Sequence, residues 1–353
     1  MSKIEWTDAT WNPLRGCSRV SEGCRNCYAE VVARRFAGPG KPYEGLVRLD
    51  GEGKPRARWN GTVRQVPEHL GAPLRWRKPR MVFVNLMSDL FHEAVPFEYI
   101  AAVFGVMAAA PQHTFQVLTK RPERAAEFFE WAAEGGHLSP GDALRRCRRA
   151  AADALDTVSA GGLDLALRFV GRPEAWPLPN VWIGVSIEDP PTAQKRIPEI
   201  LCLPAAVRWV SYEPALAGVD FARVPFHRDH PLVPFNPLVG GGTHTDTPWR
   251  LDWVVIGGES GPGARPFDLA WARSTIRQCR AAGVPVFVKQ LGAAPMQSVE
   301  ASLVAAGLYP DDIGPAGRRP ERVHLRNRKG GDPSEWPEDL RVREFPHAFG
   351  GRA

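Results

Sequence analysis

The sequence contains no uninterrupted run of eighteen apolar residues, the length that a membrane-spanning helix needs. Its N-terminus, MSKIEWTDATW, is polar and aromatic, whereas a signal peptide has a basic head followed by an apolar run. These absences predict a soluble, cytoplasmic protein that has no membrane partner.

A strong charge excess is also absent. The 45 Lys and Arg residues against 39 Asp and Glu give a formal charge of +6 over 353 residues. Such a mild basic excess is compatible with a polyanionic partner without requiring one. A composition that is 44% hydrophobic and 24% charged excludes disorder over most of the chain, and the length suits one large α/β domain with additions or two smaller domains.

Cysteine is scarce, with six residues. Because the sequence shows no export signal, we do not expect these cysteines to form disulfides. Cys147, Cys202 and Cys279 occur singly in segments that look helical, so we expect them to be inert thiols. The other three, Cys17, Cys24 and Cys27, fall close together near the N-terminus.

Short apolar runs alternate with helix-like stretches from residue 81 onward, a pattern that favours a parallel sheet with crossover helices. The predicted strands cover residues 81–86, 114–118, 181–185, 207–210, 253–256 and 284–288. The predicted helices cover residues 96–110, 122–133, 192–200 and 269–282, with a further helix around 143–155.

Every predicted strand is followed by polar residues. They are Ser88 and Asp89, Thr119 and Lys120, Ser186 and Glu188, Ser211 and Glu213, Glu259 and Ser260, and Lys289 and Gln290. In a parallel barrel the carboxyl ends of the strands gather on one face, where ligands bind. We therefore expect these groups to share one site, the alternative being that they mark solvent-facing loops.

Three long segments, about 38–80, 134–180 and 221–250, interrupt this pattern. Segments of this length in a compact domain are usually functional or disordered. We assign residues 1–292 to a partial barrel that carries a cysteine loop at 12–28, and residues 293–353 to a C-terminal extension packed on it.

The three clustered cysteines offer three thiolates on one loop, next to Gly16 and Gly23. A structural zinc site takes four ligands, and the next histidine along the chain is His69. An iron-sulfur cubane held by three thiolates keeps one iron open for another ligand, so this number suits a catalytic cluster. The alternative is a zinc site closed by a distant histidine such as His92.

The chain resembles the phage-associated three-cysteine-motif proteins, a group of the radical S-adenosylmethionine type. The matching stretches are IEWTDATWNP, GCRNCYAE, NLMSDLFHE, VLTKRPER, GVSIED, SYEPALAG, GGESGPGARP, VFVKQLG and SEWPEDLRVREFP. The resemblance implies an α/β fold with a partial parallel (β/α)6-type barrel. It also implies a [4Fe-4S] cluster on Cys17, Cys24 and Cys27, S-adenosylmethionine as second cofactor, and a reductase, flavodoxin or ferredoxin as electron donor.

A more distant similarity is to spore photoproduct lyase, in which polar pairs after successive strands surround S-adenosylmethionine. The matching residues are Ser88, Asp89, Thr119, Lys120 and Ser186. The similarity implies that Lys120 pairs with the methionine carboxylate, while Ser88, Asp89 and Ser186 take the amino group and ribose hydroxyls. The lyase uses a cysteine as hydrogen donor in its repair reaction, and this chain has Leu86 and Met87 at that place. We therefore do not expect this chain to catalyse the lyase's reaction.

We take Glu213 and Glu259 as candidate catalytic residues, the alternative being that such glutamates pair with neighbouring cations. A nucleic-acid base or nucleotide is the expected substrate. The basic residues within 75–80 and 145–149 are expected near the barrel mouth, the alternative being that they form solvated helix or loop faces that pair with Glu and Asp. The competing interpretation is a non-catalytic, zinc-binding protein that interacts with nucleic acid.

Overall fold

Buried parallel strands form the centre of each of the two units into which the chain divides. The first unit comprises Met1–Val185 with Cys202–Arg208, and the second comprises Ser186–Leu201 with Trp209–Ala353. The computed structural model describes residues 4–51, 56–133, 140–159, 175–225, 234–241, 249–297 and 321–346.

Helices separate most of the parallel strands along the chain. The strands are β1 Ala9–Trp11, β2 Leu14–Arg15, β3 Val47–Asp50, β4 Arg56–Trp59, β5 Arg64–Gln65, β6 Met81–Val84, β7 Thr114–Thr119, β8 Val181–Ile187, β9 Val207–Tyr212, β10 Val224–Pro225, β11 Pro234–Phe235, β12 Trp253–Gly257, β13 Phe267–Asp268, β14 Val286–Gln290, β15 Pro295–Gln297 and β16 Glu321–Arg322. The α-helices are α1 Tyr28–Arg35, α2 Pro67–Leu70, α3 Phe97–Ala109, α4 Pro122–Ala132, α5 Pro140–Ser159, α6 Pro190–Leu201 and α7 Leu269–Ala281.

In the first unit β1, β6, β7 and β8 lie side by side in that order, and each neighbouring pair is parallel. Every residue of β8 is buried. Burial on both faces explains why these strands are nearly uninterrupted apolar runs. Helix α3 packs closely on α5 at Gly105, where a Cβ atom would lie 2.1 Å from the Cys147 carbonyl oxygen.

In the second unit β9, β12 and β14 are parallel and lie in that order. Trp209 and Trp253 are directly paired across β9 and β12, and their ring centroids are 5.4 Å apart. Helix α7 begins after Asp268, whose carboxylate accepts a hydrogen bond from the Ala270 N–H at 2.8 Å. Such an N-cap satisfies a backbone donor that the helix itself leaves free.

The predicted alternation of strands and helices is confirmed, and the fold is α/β with parallel strands. All six predicted strands and all five predicted helices are present, with ends that differ by a few residues. Strand β1 was not predicted, nor was the short parallel pair of β13 and β15. Among the described helices, none combines the length and the apolar character that crossing a bilayer requires.

The three long segments contain secondary-structure elements of their own. The first holds the antiparallel pair β3 and β4, the second holds α5, and the third holds the antiparallel pair β10 and β11. Residues 52–55, 134–139, 160–174, 226–233 and 242–248 of these segments lie outside the described residues.

The described part of the predicted C-terminal extension packs within the second unit. β15 pairs with β13 and β16, and Phe287 of β14 bridges to Arg343. Trp336 is buried, and its indole N–H donates to the Gly330 carbonyl at 2.9 Å. Residues 298–320 of this extension are outside the described range.

Candidate functional site

The cysteine loop is attached to the chain that follows the carboxyl end of β6. The Gly16 N–H donates to the Met87 carbonyl at 3.3 Å, and Gly16 forms a parallel bridge with Ser88. Gly16 has a φ of +92°, and a Cβ atom there would lie 2.1 Å from the Thr62 carbonyl oxygen. Both the backbone conformation and the lack of space require glycine at this position.

The three clustered cysteines lie on one short path of chain. Cys24 ends the 3-10 turn Glu22–Cys24, and Cys27 is the N-cap residue of α1. The Cys27 N–H donates to the Cys24 carbonyl at 3.3 Å. Cys17 and Cys27 pack against one apolar cluster formed by Ala29, Ala33, Leu46, Trp59 and Met87. All three thiols are free of disulfides.

Burial is the largest influence on the pKa of Cys17 and of Cys27. It raises the pKa of Cys17 to about 12, with a further rise from Asp89 and a lowering effect from Arg121. Burial also raises the pKa of Cys27, while the N–H groups of Glu30 and Ala29 lower it. The charges of Cys24 and Cys27 both act on Cys17, so the three thiols lie close enough to influence one another.

His92 lies beside the cysteine loop but already uses both ring nitrogens. Its Nε2 bonds to the Ser18 Oγ at 2.9 Å, and its Nδ1 accepts from the Ala94 N–H at 3.1 Å. Ligation of a metal by His92 would have to break one of these bonds. Within the described ranges, no group of three or more His, Cys, Asp or Glu side chains is arranged to hold a metal ion.

Glu30 fixes the position of the loop and of helix α1. Its carboxylate is 1% exposed and accepts from the Arg19 guanidinium at 2.6 and 3.0 Å, from Arg58 at 3.3 Å and from the Trp59 N–H at 3.0 Å. Arg19 lies between Cys17 and Cys24, so the carboxylate connects the loop to β4. The sequence analysis did not identify this residue.

Asp89 is buried at the end of β6, and every acceptor position of its carboxylate is occupied. Oδ1 accepts from the Thr119 hydroxyl at 2.8 Å and from the Phe91 N–H at 3.1 Å. Oδ2 accepts from the Lys120 N–H and from Arg121, both at 3.1 Å. A carboxylate offers about four acceptor positions. Asp89 and Thr119 are thus engaged with each other, and their role as cofactor ligands stays a prediction.

Arg121 is a site residue that the sequence analysis missed. It is 5% exposed and pairs with Asp89 at 3.1 Å, while its Nη1 lies 4.0 Å from the Cys17 sulfur. The available signal was its position directly after Thr119 and Lys120, at the end of β7. The charges of Asp89, Cys17 and Glu93 raise the pKa of Arg121, although burial opposes this rise.

Ser88 and Lys120 are half-buried next to these residues. The Ser88 hydroxyl donates to the Leu14 carbonyl at 3.2 Å, which again holds the cysteine loop to the end of β6. The first unit therefore brings Cys17, Ser88, Asp89, Thr119 and Lys120 to the carboxyl end of β6 and β7.

The remaining predicted residues belong to the second unit, and its glutamates are ion-paired. Ser186 lies near the end of β8, and its carbonyl accepts from Arg196 at 2.7 Å. Glu188 is buried and pairs with the same arginine at 3.1 Å. Glu259 binds Arg265 through both oxygens, at 2.6 and 3.0 Å, which fixes the loop that follows β12.

Glu213 differs because only one of its oxygens is bonded. Oε2 accepts from Lys289 at 3.1 Å and from the Ser211 hydroxyl at 3.2 Å. Oε1 is buried without a hydrogen-bond partner in the described part of the chain. A Cβ atom at Gly257 would lie 2.6 Å from this oxygen, so glycine is needed to leave the carboxylate its place. The catalytic roles of Glu213 and Glu259 stay predictions.

The two basic stretches differ in how their charges are paired. On α5, Arg145 pairs with Asp142 and Arg149 with Asp153, both on the same helix. Arg75, Arg77, Lys78 and Arg80 are exposed, and no acidic partner for them occurs among the described residues. Arg80 also lies 5.1 Å from the centroid of the Trp76 ring.

The stretch at 75–80 is not where the sequence analysis expected it. It directly precedes β6, so it lies at the amino-terminal edge of the parallel strands of the first unit. Trp76 contacts His113, which precedes β7 at the same edge. The expectation that these cations lie near the mouth was wrong, because the polar groups that follow β6 and β7 are at the opposite ends of those strands.

A comparison with protein-family models matches residues 1–318 to one family, described as a protein of unknown function (DUF5131). The chain belongs to this family. The matched range includes the cysteine loop and all the parallel strands described above. A comparison with curated proteins and one with solved structures found no match.

Replacing Asp89 by asparagine should strongly destabilise the first unit. The amide keeps the shape but loses the charge opposite buried Arg121, and removal of one partner of a buried pair costs about 3 to 5 kcal/mol. Urea unfolding followed by circular dichroism measures this loss. Asp153→Asn is the matched control, because that side chain is 73% exposed. Equal stability of the two variants would contradict the central role of Asp89.

Proposed function

We propose that this protein is a radical S-adenosylmethionine enzyme whose Cys17, Cys24 and Cys27 hold a [4Fe-4S] cluster. The observation that carries the proposal is a loop with three cysteines free of disulfides, which is bridged at Gly16 to Ser88 after β6 and packs Cys17 and Cys27 on one apolar cluster. When bound, the cluster supplies the electron that cleaves S-adenosylmethionine into a 5′-deoxyadenosyl radical, which abstracts hydrogen from a substrate.

The chemistry of the donor set fits such a cluster. Three thiolates leave one iron open for a ligand that is not part of the protein. Cys17, Cys24 and Cys27 would hold such a cluster without converging on one point, as ligands do around a single zinc ion with bonds of about 2.3 Å. The apolar cluster beneath Cys17 and Cys27 shields one side of the thiols from water.

The residues around the thiols divide into two groups. Asp89 and Thr119 hold the ends of β6 and β7 in place, because their polar atoms are engaged with each other and with Arg121. We assign S-adenosylmethionine binding in the first unit to Lys120, through its ammonium group and the methionine carboxylate, with Ser88 as a further polar contact.

The proposal includes a partial parallel barrel, an external electron donor such as a reductase, flavodoxin or ferredoxin, and a nucleic-acid base or nucleotide as substrate. The substrate class is supported by the similarity to spore photoproduct lyase and by the charge of +6. Of the two candidate glutamates, Glu213 is the stronger for substrate contact, since one of its oxygens lacks a partner among the described residues, whereas Arg265 binds both oxygens of Glu259.

The cluster assignment predicts different results for the two sets of cysteines. Cys17→Ala, Cys24→Ala and Cys27→Ala should each abolish the cluster, because a cubane with one open iron needs all three thiolates. Cys147→Ala, Cys202→Ala and Cys279→Ala are matched controls that should leave the iron content unchanged. Iron and sulfide analysis after anaerobic reconstitution measures both sets. A colourless wild-type protein that binds zinc would instead support the non-catalytic alternative.

Lys120→Ala should weaken S-adenosylmethionine binding while the cluster is retained. Loss of a charge-assisted hydrogen bond costs roughly 1.5 to 3 kcal/mol, or about 10- to 150-fold in affinity. Calorimetric titration of the iron-loaded variant measures the loss, with Lys41→Ala as a control for an exposed lysine. If iron-loaded Lys120→Ala binds S-adenosylmethionine as tightly as the wild type, Lys120 does not bind the methionine carboxylate.

The exposed cations within 75–80 should bind a polynucleotide through its phosphates. Fluorescence titration with single-stranded and duplex oligonucleotides across a salt series tests this. Replacing Arg75, Arg77 and Lys78 by glutamine should reduce the salt slope by about one unit for each lost contact. The same replacement of Arg145 and Arg149, which have acidic partners, is the control. If the wild-type protein binds no oligonucleotide at low salt, a small nucleotide or another metabolite is the better substrate class.

A further inference from the structure

The guanidinium of Arg121 has five N–H groups, and five acceptors surround it. Nε donates to the Glu93 carboxylate at 3.0 Å, and Nη2 donates to the carbonyl and hydroxyl oxygens of Ser18 at 3.2 and 2.7 Å. Nη1 donates to Asp89 at 3.1 Å, and it also lies 4.0 Å from the Cys17 sulfur, which is the fifth acceptor around the guanidinium. An arginine carries five donors in all, so each has an acceptor.

This arrangement places a buried positive charge against a sulfur of the cysteine loop. Arg121 is 5% exposed, so the charge is weakly screened by water. Its Nη2 also donates to both oxygens of Ser18, the residue next to Cys17, which holds this part of the cysteine loop against the guanidinium. Lysine could not replace these contacts, because an ammonium group has three donors and no planar fork.

We propose that Arg121 is a positioning residue that sets the reduction potential of the metal centre bound through Cys17. This inference rests on the proposed function. Hydrogen bonds to the ligating sulfurs and nearby charge are known determinants of cluster potentials. One-electron reduction adds negative charge to the centre, so a neighbouring cation stabilises the reduced form and raises the potential.

Substitution of Glu93, which pairs with the same guanidinium, should shift the reduction potential in the opposite direction to substitution of Arg121. Its carboxylate pairs with Arg121 at 3.0 Å, and its side chain is 65% exposed. Neutralising Glu93 removes a negative charge beside Arg121 and leaves the guanidinium charge less compensated. The two substitutions, Arg121→Gln and Glu93→Gln, both break the same ion pair, yet they should move the potential in opposite directions.

The experiment compares the full-length, iron-loaded wild type with Arg121→Gln, Arg121→Lys, Glu93→Gln and Arg124→Gln in redox titrations monitored by electron paramagnetic resonance. Arg124 is a matched control on α4, where it pairs with Glu127 at 2.8 Å. We expect a lower potential for Arg121→Gln and a higher one for Glu93→Gln. Arg121→Lys should lie between Arg121→Gln and wild type, and Arg124→Gln should match wild type.

The possible outcomes separate the inference from the function on which it rests. If Arg121→Gln fails to hold iron, Arg121→Lys and Glu93→Gln still decide the question. The inference is overturned if Arg121→Lys and Glu93→Gln have the same reduction potential as Arg124→Gln. It is also overturned if Glu93→Gln and Arg121→Gln shift the potential in the same direction. A wild type that assembles no cluster would overturn the proposed function itself and this inference with it.

Discussion

The buried pair of Asp89 and Arg121 is the interaction on which the site of the first unit depends. Either charge alone would be strongly unfavourable in this environment, so each requires the other. Because Asp89 follows β6 and Arg121 follows β7, the pair joins the ends of two neighbouring parallel strands. The remaining donors of Arg121 extend the network to Ser18 and Cys17, so the same charges fix the strand ends and the cysteine loop.

The strands could be predicted from the sequence because burial on both faces leaves a simple signal. A parallel strand covered on two sides is an apolar run bounded by polar residues, and β6 and β12 have this form. Strand β1 has only three residues, and its sequence, ATW, follows a polar stretch. Its pairing with β6 depends on contacts with distant residues, among them the bond from the Trp11 indole to the His69 carbonyl, and no local pattern reveals these.

The site could be predicted only in part, for a different physical reason. Residue types indicate which groups are polar, but they do not indicate which partner each group chooses. Asp89 and Thr119 were expected to contact a ligand, and in the structure they bind each other, so their role toward a ligand stays a prediction. Lys120 was the cation predicted for the site, whereas the adjacent Arg121 is the cation that contacts Cys17. Glu30 was missed because its three partners are distributed over the cysteine loop and β4.

A raised pKa does not by itself distinguish the clustered cysteines from the scattered ones. Burial raises the pKa of Cys147 and of Cys279 to about 12, as it does for Cys17. The difference is in what surrounds the sulfur. Cys17 lies among other thiols and beside a fixed guanidinium, whereas helix packing buries Cys147 and Cys279. Arg121 lowers the pKa of Cys17, but burial and Asp89 raise it by more. Because only the thiolate is a metal ligand, a metal that binds through Cys17 would itself have to displace the thiol proton.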